Sequence, residues 1–150
     1  MSDKELRVAP HLRRLPAHLS ITPGQISDLV ERFYGRVRDD QRLGPIFEAR
    51  VQGEWAPHLA KMKGFWRSVL LKTGEYKGRP VPVHVQIGGL ENEDYIAWLG
   101  LFRETVAEVF EADARPVVIE AAERIAASLW LATSGELTAK PPEWPQDRGR

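Results

Sequence analysis

The stretch WAPHLAKMKGFWRSVLLKTGEYKGRPVPVH, residues 55–84, decides the fold. Its first half is periodic. Trp55, Leu59, Met62, Phe65, Trp66, Val69 and Leu70 recur at helical spacing and form one broad apolar stripe, so a helix is expected from about Glu54 to Lys72. A proline is tolerated only in a first turn, and Pro57 therefore places the start at Glu54 or Trp55. Thr73-Gly74 is a stop signal. The second half behaves differently. Pro80 and Pro82 forbid a regular helix, and the alternation of Val81, Val83, Val85 and Ile87 leaves an edge strand as the rival local reading. His84 stands at the end of this stiff connection.

Helical patterns flank the stretch on both sides. Upstream, Thr22-Pro23-Gly24-Gln25 is a capping box with proline at the first helical position. Ile26, Leu29, Val30, Phe33 and Val37 then mark an inward face, with Tyr34 at its edge, and Asp39-Asp40 ends the helix. Leu43-Gly44-Pro45-Ile46-Phe47 is expected to be a turn carrying large apolar residues. Downstream, a third helix is expected over about Glu91 to Glu111, with Ile96, Leu99, Phe102, Val106 and Val109 inward and Trp98 flanking them. A fourth covers about Arg115 to Thr133, with Val118, Ile119, Ala122, Ile125, Ala126 and Leu129 inward. Residues 1–21 form an extension in which Pro16 interrupts a short amphipathic pattern. Residues 134–150 form a Pro-rich, charged tail expected to be disordered. Four long amphipathic helices without a convincing strand pair make the body, residues 22–133, an all-α domain.

Composition excludes more than it selects. The formal net charge is zero, so no overall field favours nucleic acid or an anionic membrane surface. The absence of cysteine rules out disulfides, thiolate catalysis, Cys-ligated zinc, iron–sulfur clusters and covalent c-type haem attachment. No apolar run approaches membrane-spanning length, and MSDKELRVAP lacks the apolar core of a secretory signal, so the cytoplasm is the expected compartment. HExxH, EF-hand, glycine-rich phosphate-loop and nucleophile-elbow patterns are all missing.

Of the four histidines, His11 and His18 lie in the extension, which leaves His58 and His84 in the folded body. A non-haem metal site needs three or four ligands, and this supply is poor. A haem site needs one neutral imidazole, an apolar slot and a few polar tips opposite. The Tyr34 O–H, the His58 N–H and the indole N–H groups of Trp66 and Trp98 are candidate tips. From the residues alone two readings stay open. One is an aromatic-rich helical core with structural histidines; the other is a pocket built around a macrocycle.

FYGRVRDDQRLGPIFE (33–48), residues 55–84 and DYIAWLGLF (94–102) together resemble the truncated haemoglobins, specifically group III. The combination of FYxxVRxDxxLGPIF, HxxKMxxFW and GxYxGxPxxxH carries the resemblance, which covers about residues 22–132. It implies a shortened globin, a 2-over-2 helical sandwich around haem b. In that family His84 matches the proximal iron ligand. Tyr34, His58, Met62 and Trp98 match the distal ligand-binding positions, the histidine being one that swings to open or close access. Phe33, Phe47, Phe65, Trp66 and Phe102 would be pocket wall, and Tyr76 and Arg79 would lie near the haem propionates. Met62 departs from the usual aliphatic residue. The resemblance implies binding of O2, CO, NO or another small ligand, served by an unknown reductase. No residue is assigned as catalytic. The alternatives are an enzyme on the same scaffold, for nitric oxide oxidation or peroxidase-like chemistry, and a haem-free helical interaction module.

Overall fold

The computed structural model describes residues 16–76 and 90–134. Arg79, His84, the alternative edge strand and the tail from residue 135 onward fall outside the described residues. Among the described residues five helices follow in order: α1 Pro23–Asp39, α2 Leu43–Val51, α3 Trp55–Leu71, α4 Asn92–Val109 and α5 Arg115–Ser134. Among the described residues there is no strand, and the fold is all-α. None of these helices is long and apolar enough to cross a membrane.

The start of α1 follows from its sequence. The Thr22 hydroxyl accepts from the Gln25 N–H at 3.2 Å, and the Gln25 side chain accepts from the Thr22 N–H at 2.9 Å. This satisfies two donors that a helix start leaves open. Ile26, Leu29, Val30, Phe33 and Val37 are buried, as their spacing predicts. Tyr34, placed at the edge of that face by periodicity, is buried as well.

The segment expected to turn at 43–47 is instead the first half of α2. Pro45 is the third residue of that helix, where no N–H is needed, so it does not break it. The Asp40 carboxylate accepts from the N–H groups of Arg42 (2.9 Å) and Leu43 (2.8 Å) and caps the start. Gly44 is required here by close approach. A Cβ on it would stand 2.8 Å from the Arg38 carbonyl oxygen, where α1 ends and α2 folds back.

α1 packs against α2, α3 and α4, and α4 packs against α5. The apolar stripes meet in one core containing Phe33, Trp66, Leu70, Leu99, Phe102, Val106, Val118 and Ala122. A polar bracket joins α1 to α4 outside it. Arg36 donates to the buried Thr105 hydroxyl at 2.7 Å and pairs with Glu108, and the Thr105 hydroxyl donates to the Leu101 carbonyl at 2.8 Å. The last part of the extension docks on this body. The Ala17 N–H donates to the Leu70 carbonyl at 2.8 Å, and Ile21 is buried.

Candidate functional site

The candidate distal side chains come from α1, α3 and α4. The Tyr34 ring lies 5.0 Å from the His58 ring and nearly perpendicular to it. Phe33 meets Tyr34 edge-on at 5.0 Å and Trp98 edge-on at 5.4 Å. Phe102 stacks on Trp98 at 5.6 Å and on Trp66 at 5.1 Å, and it meets Phe33 at 5.3 Å. Phe47 of α2 closes on Tyr34 at 6.1 Å. Tyr34, His58, Trp98, Phe33, Phe47, Trp66 and Phe102 therefore belong to one connected aromatic cluster. Met62 is half-buried against the same core.

Burial sets the protonation of one polar tip and seals an atom of another. Desolvation pushes the Tyr34 phenol well above its ordinary value, because a phenolate in this apolar setting would lose its hydration. The group stays a neutral O–H donor throughout the physiological range. The Nε2 atom of His58 is sealed from solvent, although the residue as a whole is only half-buried.

An apolar cavity opens beside the cluster, between α2, α4 and α5. Leu43, Phe47, Leu90, Tyr95, Trp98, Ala126 and Leu129 give it an apolar lining, with Asp94 as its one acidic neighbour. The sequence assigns Phe47 and Trp98 to the site; Leu43, Ala126 and Leu129 read there only as core positions, and Leu90, Asp94 and Tyr95 carry no site assignment. Leu43, Tyr95, Ala126 and Leu129 look like ordinary core positions, so only the packing of three helices distinguishes them.

Asp94 has two roles. Its carboxylate accepts from the Glu91 N–H at 2.7 Å, which closes the capping box of α4. It also accepts from Arg42 Nε at 2.6 Å, tying α4 to the start of α2. The wall of the cavity is thus braced by a buried carboxylate with its partners supplied.

Tyr76 and Phe65 pack edge-on at 5.1 Å. The chain reaches this point by reversing after α3, with Lys72 and Gly74 in left-handed conformations at φ 60° and 71°. Arg67 then grips Glu75 with two hydrogen bonds, at 2.9 and 2.6 Å, and the Ser68 hydroxyl accepts from the Tyr76 N–H at 2.8 Å. The segment entering residue 77 is held back against α3.

An apolar pocket that meets the aromatic cluster at Phe47 and Trp98 offers the kind of wall that a planar apolar macrocycle needs. No protein-family model matches the chain. It is similar to the group 3 truncated hemoglobin ctb of Campylobacter jejuni subsp. jejuni, with 36% identity over 110 residues, covering 71% of this chain and 87% of that protein. It is also similar to the crystal structure of the group III truncated hemoglobin from Campylobacter jejuni. That match has a TM-score of 0.73 at 33% identity and covers 77% of this chain and 94% of the other. Sequence identity and fold agree over most of both chains, and this chain belongs to the group III truncated haemoglobins.

Proposed function

We propose that the chain binds haem b and takes up O2, CO, NO or a related diatomic ligand, with His84 as the proximal ligand and residues 22–133 as the globin domain. The observation that carries this reading is the junction of the Tyr34–His58 pair, through Phe33, with Trp98 at the wall of the apolar cavity. Haem, when bound, would supply an iron that binds the diatomic ligand. The side chains do the rest. Tyr34, kept neutral by burial, donates its O–H toward a ligand carrying partial negative charge, and the Trp98 indole N–H is a second donor. His58 and Met62 govern access, while Phe47, Phe65, Trp66 and Phe102 exclude water and present flat apolar walls. Tyr76 and Arg79 are assigned to the propionates; a guanidinium suits a carboxylate by geometry. The cytoplasm is the proposed compartment.

A second reading, oxidation of nitric oxide or peroxidase-like turnover, draws support from two polar groups side by side, Tyr34 and His58. A rate with added reductant that does not exceed that of free haem would eliminate it.

The test of the main reading is the absorption spectrum of the purified protein in ferric, ferrous and ferrous-CO forms, for wild type and His84→Gly. A Soret band with a histidine-type CO adduct is expected, altered in the variant and restored by added imidazole. A wild-type spectrum in the variant would move the axial ligand elsewhere, and no Soret band after haemin addition would end the reading and favour a haem-free module.

A further inference from the structure

We infer that Trp55 is a positioning residue for His58. Clamped by Arg38 and Glu48, it keeps the imidazole turned in against Tyr34. The inference rests on the distal role proposed for His58 and extends it to residues that meet no ligand.

Trp55 opens α3 and is only 6% exposed. Its Nε1–H donates to the Glu48 carboxylate of α2 at 2.7 Å. The Arg38 guanidinium, from the last turn of α1, lies 4.6 Å over its ring. Two oppositely charged groups from two other helices thus fix one indole. His58 follows three residues later on the same face, and helical side chains lean toward the N-terminus, which brings the imidazole down over Trp55. The two rings meet at 5.7 Å and 89°. Tyr34 closes the corner, 5.0 Å from His58 and 6.2 Å from Trp55.

An outward turn of His58 forfeits both ring contacts. A fixed Trp55 holds one of the two ring contacts of the inner position, and a loosened Trp55 weakens it. Arg38 and Glu48 are exposed, so the clamp can be opened by substitutions that leave the core closed.

The experiment uses the full chain loaded with haem, with carbon monoxide as the probe. Glu48→Ala removes the acceptor from an exposed position, and Trp55→Phe removes the donor while keeping an aromatic ring. Association after flash photolysis should quicken by about fivefold in either variant, the factor that one hydrogen bond of ~1 kcal/mol confers. In the CO-bound form, the proton resonances of the His58 ring should move toward those of a free imidazole. Neither variant should quicken association further when His58 is already alanine, because the clamp acts through that ring.

Unchanged association and unchanged resonances in both single variants would overturn the positioning role. So would an equal acceleration in the His58→Ala background, which would mean general loosening of the wall. If His58→Ala alone quickens association while the clamp variants do not, only the role of Trp55 falls. If His58→Ala leaves every ligand rate unchanged, the distal reading of His58 falls with it.

Discussion

Replacing Phe102 by alanine should be the most damaging single truncation in the aromatic cluster. Its side chain is fully buried, and its ring meets three others, Phe33 at 5.3 Å, Trp66 at 5.1 Å and Trp98 at 5.6 Å. Truncating a buried phenylalanine costs about 3–5 kcal/mol through lost transfer energy and the cavity left behind. Aromatic pairs add about 0.5–1.5 kcal/mol each beyond buried area, so three of them put this site at the upper end of that range. Against a total stability of roughly 5–15 kcal/mol the loss is large. At about 2–4 °C per kcal/mol for a chain of this size, Tm should fall by about 10–15 °C. Phe102→Leu separates the two contributions. It restores most of the apolar volume but none of the ring geometry, and should still lose about 1.5 kcal/mol. The assay is urea unfolding of wild type and both variants in one ligation state, with midpoint and m-value compared. A loss under about 1.5 kcal/mol for the alanine variant, at unchanged m-value, would refute Phe102 as the hub. Full stability in the leucine variant would refute the contribution assigned to the ring contacts.

Tyr34→Phe should speed dissociation of the bound diatomic ligand by at least tenfold, since a hydrogen bond to a charged partner is worth about 1.5–3 kcal/mol. An unchanged dissociation rate would remove Tyr34 from that role. The same variant carries a pH signature. Burial raises the Tyr34 phenol above its unfolded value of 10.0, so its contribution to stability is complete below that pH and is lost as pH climbs past it. Alkaline destabilisation should therefore be smaller in Tyr34→Phe than in wild type, and equal slopes above pH 10 would contradict the burial. Gly44→Ala drives a Cβ to 2.8 Å from a backbone oxygen and should cost about 1–3 kcal/mol in urea unfolding. Gly35→Ala, with open space at that position, should instead gain up to about 1 kcal/mol as a helix-interior substitution.

The sequence by itself determined four of the five described helices and the family. The Thr22 box, the inward positions of α1 and the end of α3 near Lys72 are legible because each depends on neighbours within a turn or two. The motif set from Phe33 to Phe102 pointed to group III, and the relatives bear that out. Only the tertiary structure decided what depends on helices meeting. Periodicity places Tyr34 at the edge of a face, and whether an edge is buried depends on what packs there. Here it is Phe47 from α2 and His58 from α3. The helix over Leu43–Val51 is an exception of another kind, since its causes, the Asp40 cap and the first-turn place of Pro45, are local and the reading as a turn overlooked them. Nothing in the sequence singles out Asp94. Its buried place in the cavity wall needed Arg42, fifty-two positions away, to supply the partner. Trp55 gave no sign in the sequence of being more than one member of an apolar stripe. The side chains that fix it, Arg38 and Glu48, are exposed polar residues on other helices, and only the packing of three helices brings them to it.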